Sequence, residues 1–204
     1  MNIEEQKDIW GNPNNWIDNG NDWSTYFETT DKLWNLIYQK IEKYLNGNVL
    51  EIAPGYGRMT EYLLKNNTNL SIVDLNENCI EKCKERFGDK IKSYKVNNGF
   101  SLQYEENYFD FVFSYDSFVH MTKDVIESYI KNISKILKPN GYTFIHHSFF
   151  YGSEYPRDNI AGRSNMTPDL FRNIVTKYGM QVISQENFRT SEQANDIITI
   201  FKKM

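Results

Sequence analysis

The chain has 204 residues, of which 40% are hydrophobic and 25% are charged, as is typical of a single globular domain. Its formal net charge is −4, so it lacks the basic excess that indicates binding to nucleic acid or to an anionic membrane. No apolar run approaches the roughly 20 residues of a membrane-spanning helix, and residues 1–16 lack a secretory-signal pattern. The sequence therefore favours a cytoplasmic protein with no membrane partner.

The predicted elements begin with an irregular segment. Residues 1–24 are rich in Asn, Asp, Gly and Trp without a sustained period, which predicts an irregular arm or lid. Over residues 30–45, apolar side chains recur every three or four positions, which predicts an amphipathic helix that ends at an Asn-Gly pair. Residues 1–46 are thus a predicted arm and helix, and residues 47–204 a predicted core.

Strands and helices then alternate through most of the chain. The predicted strands are 48–53, 69–74, 90–96, 109–115, 142–147, 181–184 and 197–201. The predicted helices between them are 58–65, 78–87, 124–137 and a last one that Thr167 and Pro168 open and that ends near Gly179. This alternation predicts one α/β domain over residues 1–204, with a Rossmann-like, doubly wound sheet of seven strands that are mostly parallel. The last two strands have no helix between them, so we expect them to form an antiparallel hairpin at one edge.

The two cysteines, Cys79 and Cys83, lie four positions apart in a predicted helix. This spacing places both on one helix face. We therefore expect reduced helix residues rather than a disulfide.

The sharpest motif follows the first predicted strand and reads Glu51-Ile-Ala-Pro-Gly-Tyr-Gly57. Gly55 and Gly57 let the backbone approach a ligand closely at the amino end of a helix, where free N–H groups suit an anion. Asp74 ends the second strand, at the position where doubly wound folds hydrogen-bond a ribose diol. A nicotinamide site would show a third glycine where this chain has Thr60, so the pattern favours another cofactor.

A strand acid followed by Gly-x-Gly resembles the first motif of the class I S-adenosylmethionine-dependent methyltransferases. The resemblance continues, in the order expected for that family, through residues 72–75, 97–99, 109–116, 119–120 and 136–141. It implies S-adenosylmethionine as the cofactor and S-adenosylhomocysteine as the product. The predicted closing hairpin also fits the seven-stranded sheet of the family.

The resemblance implies roles in cofactor binding. The acid and glycines of the turn would support the turn and contact the amino-acid and ribose portions of the cofactor: Glu51, Gly55 and Gly57. Asp74 would bind both ribose hydroxyls, and Leu75 would pack on the adenine. Asn98 stands where the family often has an Asp that binds the adenine amino group, and an amide oxygen can accept the same bond. Further contacts are expected at Ala53, Gly99, Phe100 and Ser114.

All three histidines lie at the carboxyl ends of predicted strands, where open α/β sheets bind ligands: His120, His146 and His147. A histidine with an unperturbed pKa of about 6.5 is a suitable base for a hydroxyl acceptor. Successive strand residues point to opposite faces, so one of His146 and His147 is expected to face the core. Residues 114–116 would line the floor of the site. The three histidines and Asp116 are the candidate catalytic residues.

Short motifs at residues 119–120, 144–148 and 162–167 resemble small bacterial methyltransferases of sugar or capsule-type biosynthesis. The resemblance implies O-methylation of a small glycosyl or phosphorylated acceptor of the phosphate or phosphoramidate type. Arg163 would then bind a phosphate or carboxylate, unless it is a surface arginine. Trp23 and Tyr26 of the arm would contact the acceptor, unless the arm packs on the sheet edge.

The sequence leaves other functions open. These are N- or C-methylation of another small metabolite, a nicotinamide-dependent oxidoreductase and a non-catalytic cofactor binder. Nucleic-acid methylation is disfavoured, because the fourth strand leads into Ser-Tyr-Asp-Ser-Phe118 rather than an Asn/Asp-Pro-Pro-Tyr/Phe motif. A catalytic metal is not expected, because Asp116 is the one obvious carboxylate near that strand. The expected partner is a small-molecule acceptor, and the sequence does not indicate an oligomeric state.

Overall fold

A computed structural model describes residues 1–66, 69–149, 162–190 and 195–204. The strands in these residues are β1 Asn48–Ile52, β2 Asn69–Asp74, β3 Ser93–Val96, β4 Phe109–Ser114, β5 Leu137–Ser148, β6 Met180–Arg189 and β7 Asn195–Lys203. They form a seven-stranded sheet with the order β3-β2-β1-β4-β5-β7-β6. Strands β1 to β5 are parallel, and β7 is antiparallel to both β5 and β6. The predicted Rossmann-like sheet and its antiparallel edge are confirmed.

Helices cover both faces of the sheet. They are α1 Ile3–Trp10, α2 Thr30–Ile41, α3 Thr60–Leu64, α4 Glu77–Phe87, α5 Lys123–Ile136 and α6 Pro168–Lys177. Successive residues of a strand point to opposite faces of the sheet. In β1, Leu50 therefore packs with α5 and α6 on one face, and Val49 packs with α2 and α4 on the other. Within the described residues, no helix has the length and apolar character needed to cross a bilayer.

Residues 3–10 form helix α1, where the sequence analysis predicts an irregular arm. Asn2 caps this helix, because its side chain accepts a hydrogen bond from the Glu5 amide while the Glu5 carboxylate accepts one from the Asn2 amide, both at 2.9 Å. This capping box is readable in the sequence, but it is separate from the apolar periodicity on which the prediction relied. The arm continues through 3₁₀ turns at Pro13–Asn15 and Ile17–Phe27.

Three strands, β5, β6 and β7, are longer than predicted, because pairing with a neighbour overrides local signals. Strand β5 begins at Leu137 despite the Lys-Pro-Asn-Gly turn signal, and its register on β4 shifts between Phe109 and Phe111. Strand β6 runs to Arg189 because β7 pairs with it along its length.

Cys79 and Cys83 are buried, free thiols on α4. The prediction of reduced helix residues is confirmed. Burial raises the pKa of both thiols far above the ordinary value, so they are inert packing residues rather than nucleophiles.

Candidate functional site

A cleft opens at the carboxyl ends of β1, β2 and β4, the edge at which open α/β sheets bind ligands. Its volume is about 740 Å³, including the open mouth. Six of the predicted cofactor residues line it: Glu51, Ala53, Gly55, Asp74, Leu75 and Gly99.

The backbone turns sharply between β1 and α3, beneath the cleft. Ala53 and Gly55 both have a left-handed backbone with φ +57°, a conformation that costs alanine energy and that glycine adopts freely. The Gly55 amide donates to Asp74 Oδ2 at 3.1 Å, and the Cys83 thiol donates to the Gly55 carbonyl at 3.3 Å. The turn is therefore held from β2 and from α4.

Asp74 is buried at the end of β2, with 6% of its surface exposed. Its Oδ2 accepts from Gly55, and its Oδ1 accepts from the Asn76 amide at 2.9 Å. Burial raises the pKa of Asp74 to about 6, although these backbone hydrogen bonds act in the opposite direction. The carboxylate is therefore ionised at neutral pH, and each oxygen retains a lone pair for a further donor.

Glu51 lies in β1 with its carboxyl buried, and the Thr60 hydroxyl donates to its Oε2 at 2.6 Å. Burial raises the pKa of Glu51 to about 8, so the carboxyl is mainly protonated at neutral pH. A cationic ligand group beside it would favour the ionised form. Thr60, which replaces the third glycine of a nicotinamide motif, thus holds the strand acid in place.

Gly57 and Ser114 have structural roles and do not reach the cleft. A Cβ at Gly57 would collide with the Phe87 ring, so this glycine permits α4 to pack against the turn. The Ser114 hydroxyl donates to the Ile52 carbonyl at 2.8 Å and so ties β4 to β1. Neither residue lines the cleft, so their packing gives no support to the predicted contact with the cofactor.

Asn98 and Phe100 also lie away from the cleft. Asn98 is exposed, and its Oδ1 accepts hydrogen bonds from the amides of Phe100 and Ser101, both at 3.0 Å. The oxygen predicted to bind an adenine instead closes a loop. The Phe100 side chain is 45% exposed. The amide group of the preceding residue, Asn97, donates at 2.9 Å to the hydroxyl of Tyr129, which lines the cleft.

The arm covers the cleft. The Trp16 indole stacks on Tyr56 with 5.0 Å between ring centroids, and it lies so close to Gly55 that a Cβ there would overlap it. Ile3 of α1 lies equally close to Gly99, so that a Cβ at Gly99 would overlap its side chain. Gly55, where close approach of a ligand was predicted, and Gly99, a further predicted contact, therefore face side chains of the arm.

A second cavity, which we call the chamber, adjoins the cleft and has a volume of about 1290 Å³ including its open mouth. The cleft and the chamber share the side chains that separate them: Trp10, Trp23, Tyr115, Asp116 and His120. Arg163 lines the chamber as well. No cluster of three or more metal-ligating side chains occurs among the described residues.

Two of the three predicted acceptor contacts lie at the chamber. They are Trp23 and Arg163. Tyr26 is 44% exposed and packs edge-on against Phe27, with 5.2 Å between ring centroids. Tyr26 does not line the chamber, so its position gives no support to the predicted contact with the acceptor.

His120 is the histidine that lines both cavities. Its ring lies 4.8 Å from that of Trp10, and its Nδ1 lies 3.4 Å from the Gly162 carbonyl. Burial lowers the pKa of His120 to about 4, mainly opposed by the charge of Asp116. The imidazole is therefore neutral at neutral pH, as a base must be, but it is a weaker base than the sequence analysis assumes.

His146 and His147 point to opposite sides of β5, so the prediction that one of them faces the core is confirmed. His147 stacks on Phe171 at 3.9 Å, donates to the Ser148 carbonyl at 2.9 Å and accepts from the Thr199 hydroxyl at 2.8 Å. Burial lowers the pKa of His147 to about 3. With both nitrogens engaged in the core, His147 is not available for catalysis, and its predicted catalytic role is wrong.

His146 lies beneath the chamber floor. Its ring stacks on Tyr115 at 4.6 Å, and its Nδ1 accepts from the Asp116 amide at 3.2 Å. It therefore supports Asp116 rather than facing the chamber.

Asp116 follows β4 with a left-handed backbone, φ +60°. Its Oδ2 accepts from Arg58 Nη2 at 2.8 Å, and the Arg58 guanidinium lies over the rings of Trp23 and Tyr115. Burial alone would raise the pKa of Asp116, but the combined charges of its neighbours, Arg58 first among them, outweigh burial and lower the pKa to about 2. Asp116 is therefore an ionised carboxylate at the junction of the cleft and the chamber.

Arg163 forms a two-point ion pair with Asp196. Its Nε and Nη2 lie 3.3 Å and 2.7 Å from the two carboxylate oxygens, and Nη2 also donates to the Thr190 hydroxyl at 3.1 Å. The guanidinium edge that was predicted to bind an anion of the acceptor is therefore occupied by a buried carboxylate.

Sequence reasoning missed Arg58, Tyr129 and Asp196. Arg58 directly follows the glycine turn. Because that turn and the end of the fourth strand were both predicted to lie at the site, the sequence could have indicated that Arg58 lies there too. Tyr129 is one of several buried positions of α5, and nothing local distinguishes it. Asp196 reaches the site only through the pairing of β7 with β5, which no local pattern reveals.

Residues 50–145 match a family described as "Methyltransferase domain". The phosphoethanolamine N-methyltransferase 1 of Triticum aestivum is 32% identical over 117 residues, which cover 55% of this chain and 24% of that protein. The ubiquinone/menaquinone biosynthesis C-methyltransferase UbiE of Zymomonas mobilis is 24% identical over 163 residues, 76% of this chain and 62% of that protein. The chain thus spans about a quarter of the wheat protein and less than two thirds of UbiE.

A solved S-adenosylmethionine-dependent methyltransferase from Clostridium acetobutylicum shares the fold, with a TM-score of 0.65 and 15% identity, over 83% of this chain and 89% of that chain. The relatives include an N- and a C-methyltransferase, so the comparisons do not support the resemblance to sugar and capsule O-methyltransferases. The matched residues contain most of β1, all of β2 to β4 and most of β5, and so include the three strands whose ends form the cleft. The match to the methyltransferase domain thus covers just under half of the chain, and the chain has the fold of the solved methyltransferase.

Proposed function

We propose that this protein transfers a methyl group from S-adenosylmethionine to a small molecule held in the chamber. The observation that carries the proposal is the junction of the two cavities. A cleft with the features of a cofactor site opens directly into a second space, and five side chains, Asp116 and His120 among them, belong to both. Direct methyl transfer needs this arrangement, because its rate depends on aligning the two reacting groups.

The chemistry of the cleft residues fits S-adenosylmethionine. Asp74 would hold the ribose hydroxyls, because its ionised oxygens retain acceptor capacity beyond their two backbone hydrogen bonds. Glu51 would face the amino-acid portion, whose ammonium favours its ionised form, and Leu75 would pack on the adenine. When bound, S-adenosylmethionine supplies a methyl group that a positively charged sulfur makes electrophilic.

For the acceptor atom we propose a hydroxyl oxygen of a small glycosyl or phosphorylated molecule. His120 supports this choice, because a neutral imidazole on the chamber wall can take the hydroxyl proton. The sequence motif at Arg163 favours an anionic acceptor. The position of Arg163 favours it less, because its guanidinium already pairs with Asp196.

An amine nitrogen is the second candidate. It is favoured by the ionised Asp116 beside the indole rings of Trp10 and Trp23, since a carboxylate and an aromatic face both attract an ammonium group. The wheat relative, whose name specifies N-methylation of phosphoethanolamine, supports the same choice.

We also propose that the arm, within residues 1–46, is a lid. Trp16 and Ile3 lie over Gly55 and Gly99, so they would have to move aside when a cofactor approaches the glycine turn. A closed arm would then exclude water from the reacting groups.

Two measurements test the proposed function. Calorimetry should show binding of S-adenosylhomocysteine and none of NAD, and a preference for NAD would contradict the cofactor assignment. Incubation with S-adenosylmethionine that carries a deuterated methyl group should then label a member of a panel of sugars, amino sugars, sugar phosphates and phosphoethanolamine. Mass spectrometry of the product distinguishes O- from N-methylation. Binding of S-adenosylhomocysteine without transfer to any compound would favour a non-catalytic binder.

A further inference from the structure

Asp196 is a buried carboxylate near the start of β7 that belongs to no recognised motif. Its side chain is 1% exposed, and it pairs opposite Ser148 of β5. Besides the two hydrogen bonds from Arg163, it accepts one from the Thr190 hydroxyl at 2.7 Å. A charge buried this deeply is retained only with such partners, so the arrangement is fixed rather than incidental.

Arg163 lies between two carboxylates. Its Nη2 is 2.7 Å from Asp196 Oδ2 and 4.0 Å from Asp116 Oδ1. A guanidinium prefers a two-point pair with a single carboxylate, and Arg163 makes that pair with Asp196. Asp116 is thus left with one cation in hydrogen-bond contact, which is Arg58 on Oδ2.

The second oxygen of Asp116 is open towards the chamber. Over residues 1–66, 69–149, 162–190 and 195–204, no donor lies within hydrogen-bond distance of Oδ1. The Asp116 side chain is 19% exposed and lines the chamber beside His120. An ionised oxygen in this position is a strong acceptor for an O–H or N–H group of a small molecule.

A second path also links Asp196 to Asp116. His146 Nδ1 accepts from the Asp116 amide, and the other ring nitrogen, Nε2, lies 3.5 Å from Asp196 Oδ2 without forming a hydrogen bond. The hydrogen bond from the Asp116 amide to His146 supports the left-handed backbone of Asp116. A non-glycine residue keeps this conformation only where its surroundings impose it.

We propose that Asp196 is a positioning residue for the acceptor. By holding Arg163 in a two-point pair it keeps the guanidinium off Asp116, and Asp116 Oδ1 stays open to bind the hydroxyl or amine that receives the methyl group. The inference rests on the proposed function, because it names the group that this same site recognises. It also assigns a class of acceptor, namely molecules whose nucleophilic atom carries a hydrogen.

The test replaces Asp196 with asparagine, which keeps the shape and removes the charge. Arg163 should then turn to Asp116 and occupy Oδ1. For the panel compound with the highest turnover, kcat/KM should fall by about 100-fold, mainly through a higher KM, whereas the affinity for S-adenosylhomocysteine should change little. Asp110→Asn is the matched control, because Asp110 pairs with Lys138 at the opposite end of the sheet. This control should lower stability without changing kcat/KM of the folded enzyme.

A double-mutant cycle separates positioning from general damage. If Asp196 acts through Asp116, then the Asp116→Asn/Asp196→Asn enzyme should be no slower than Asp116→Asn alone. Additive losses, or an Asp196→Asn enzyme with unchanged kcat/KM, would overturn the proposal.

A second readout does not depend on turnover. A crystal structure of Asp196→Asn with S-adenosylhomocysteine should show Arg163 in hydrogen-bond contact with Asp116 Oδ1. An Arg163 that stays in place, with Oδ1 still open, would overturn the proposal. If no compound of the panel is methylated, then the proposed function fails, while this crystal structure still decides whether Asp196 keeps Arg163 off Asp116.

Discussion

Replacing Asp74 with asparagine removes one negative charge from the cleft and leaves the shape of the side chain unchanged. The amide oxygen can still accept from the Gly55 amide, so the turn should persist. The loss of a charged acceptor for ribose hydroxyls should weaken S-adenosylhomocysteine binding by about 1.5–3 kcal/mol, or about 10–150-fold in Kd. Isothermal titration calorimetry at neutral pH measures this change.

The pH dependence of the same binding sharpens the test. Burial raises the pKa of Asp74 to about 6, so the wild-type carboxylate takes up a proton as the pH falls through that value and loses acceptor strength. The ratio of wild-type to Asp74→Asn affinity should therefore fall about tenfold between pH 7 and pH 5. A Kd within twofold of wild type at neutral pH, or a ratio that does not vary with pH, would refute the ribose assignment. Asp110→Asn serves again as the control, here for the loss of a partly buried, paired carboxylate.

Three further predictions concern Glu51, His120 and Trp16. Burial raises the pKa of Glu51 from an ordinary value of 4.5 to about 8, so the folded state binds its proton more tightly and stability falls as the pH rises between these values. Between about pH 4.5 and 7, the wild-type free energy of unfolding should fall by up to about 3 kcal/mol more than that of Glu51→Gln. Thermal unfolding that depends on pH equally in both proteins would contradict this prediction. His120→Ala should keep its affinity for S-adenosylhomocysteine and lose about 10²–10⁴-fold in kcat on a hydroxyl acceptor, whereas a near-wild-type rate would exclude His120 as the base. Because the pKa of His120 is about 4, the acid limb of the wild-type rate should lie near that value rather than near neutrality. Trp16→Ala should release S-adenosylhomocysteine faster in stopped-flow fluorescence, and an unchanged rate would argue against a lid.

The fold was largely predictable because its signals are local. Strand β2 matches its predicted bounds, since a buried apolar run ends at Asp74, and α6 begins where Thr167 and Pro168 predict it. Helix α1 was missed although its Asn2–Glu5 capping box is visible in the sequence. The lengths of β5 and β6 were not predictable, because pairing with β4 sets the start of β5 and pairing with β7 sets the length of β6.

The cofactor side of the site was more predictable than the acceptor side. Glu51, Gly55 and Asp74 lie on two adjacent strands or directly after them, so motif spacing fixes their meeting. The sequence could not predict that the Asn98 oxygen is used in its own loop, or that burial moves the pKa of His120 to about 4. Both depend on contacts between residues far apart in the chain or on the exact course of a loop.

The site around Asp116 depends on long-range contacts in particular. Asp116, Arg163 and Asp196 come from three separate parts of the chain, and Arg163 meets Asp196 only because β7 returns beside β5. Arg163 lines the chamber, and its sequence motif predicted a contact with the acceptor that stays a prediction. Its partner Asp196, which already occupies Nε and Nη2, is visible only in the structure.

A crystal structure of the protein with S-adenosylhomocysteine tests the central claim most directly. Our account predicts that the ribose hydroxyls lie within hydrogen-bond distance of Asp74 and that the sulfur faces the chamber beside Asp116 and His120, with Trp16 and Ile3 displaced from the glycines or packed over the ligand. A ribose bound away from Asp74, or a sulfur that faces away from the chamber, would contradict it.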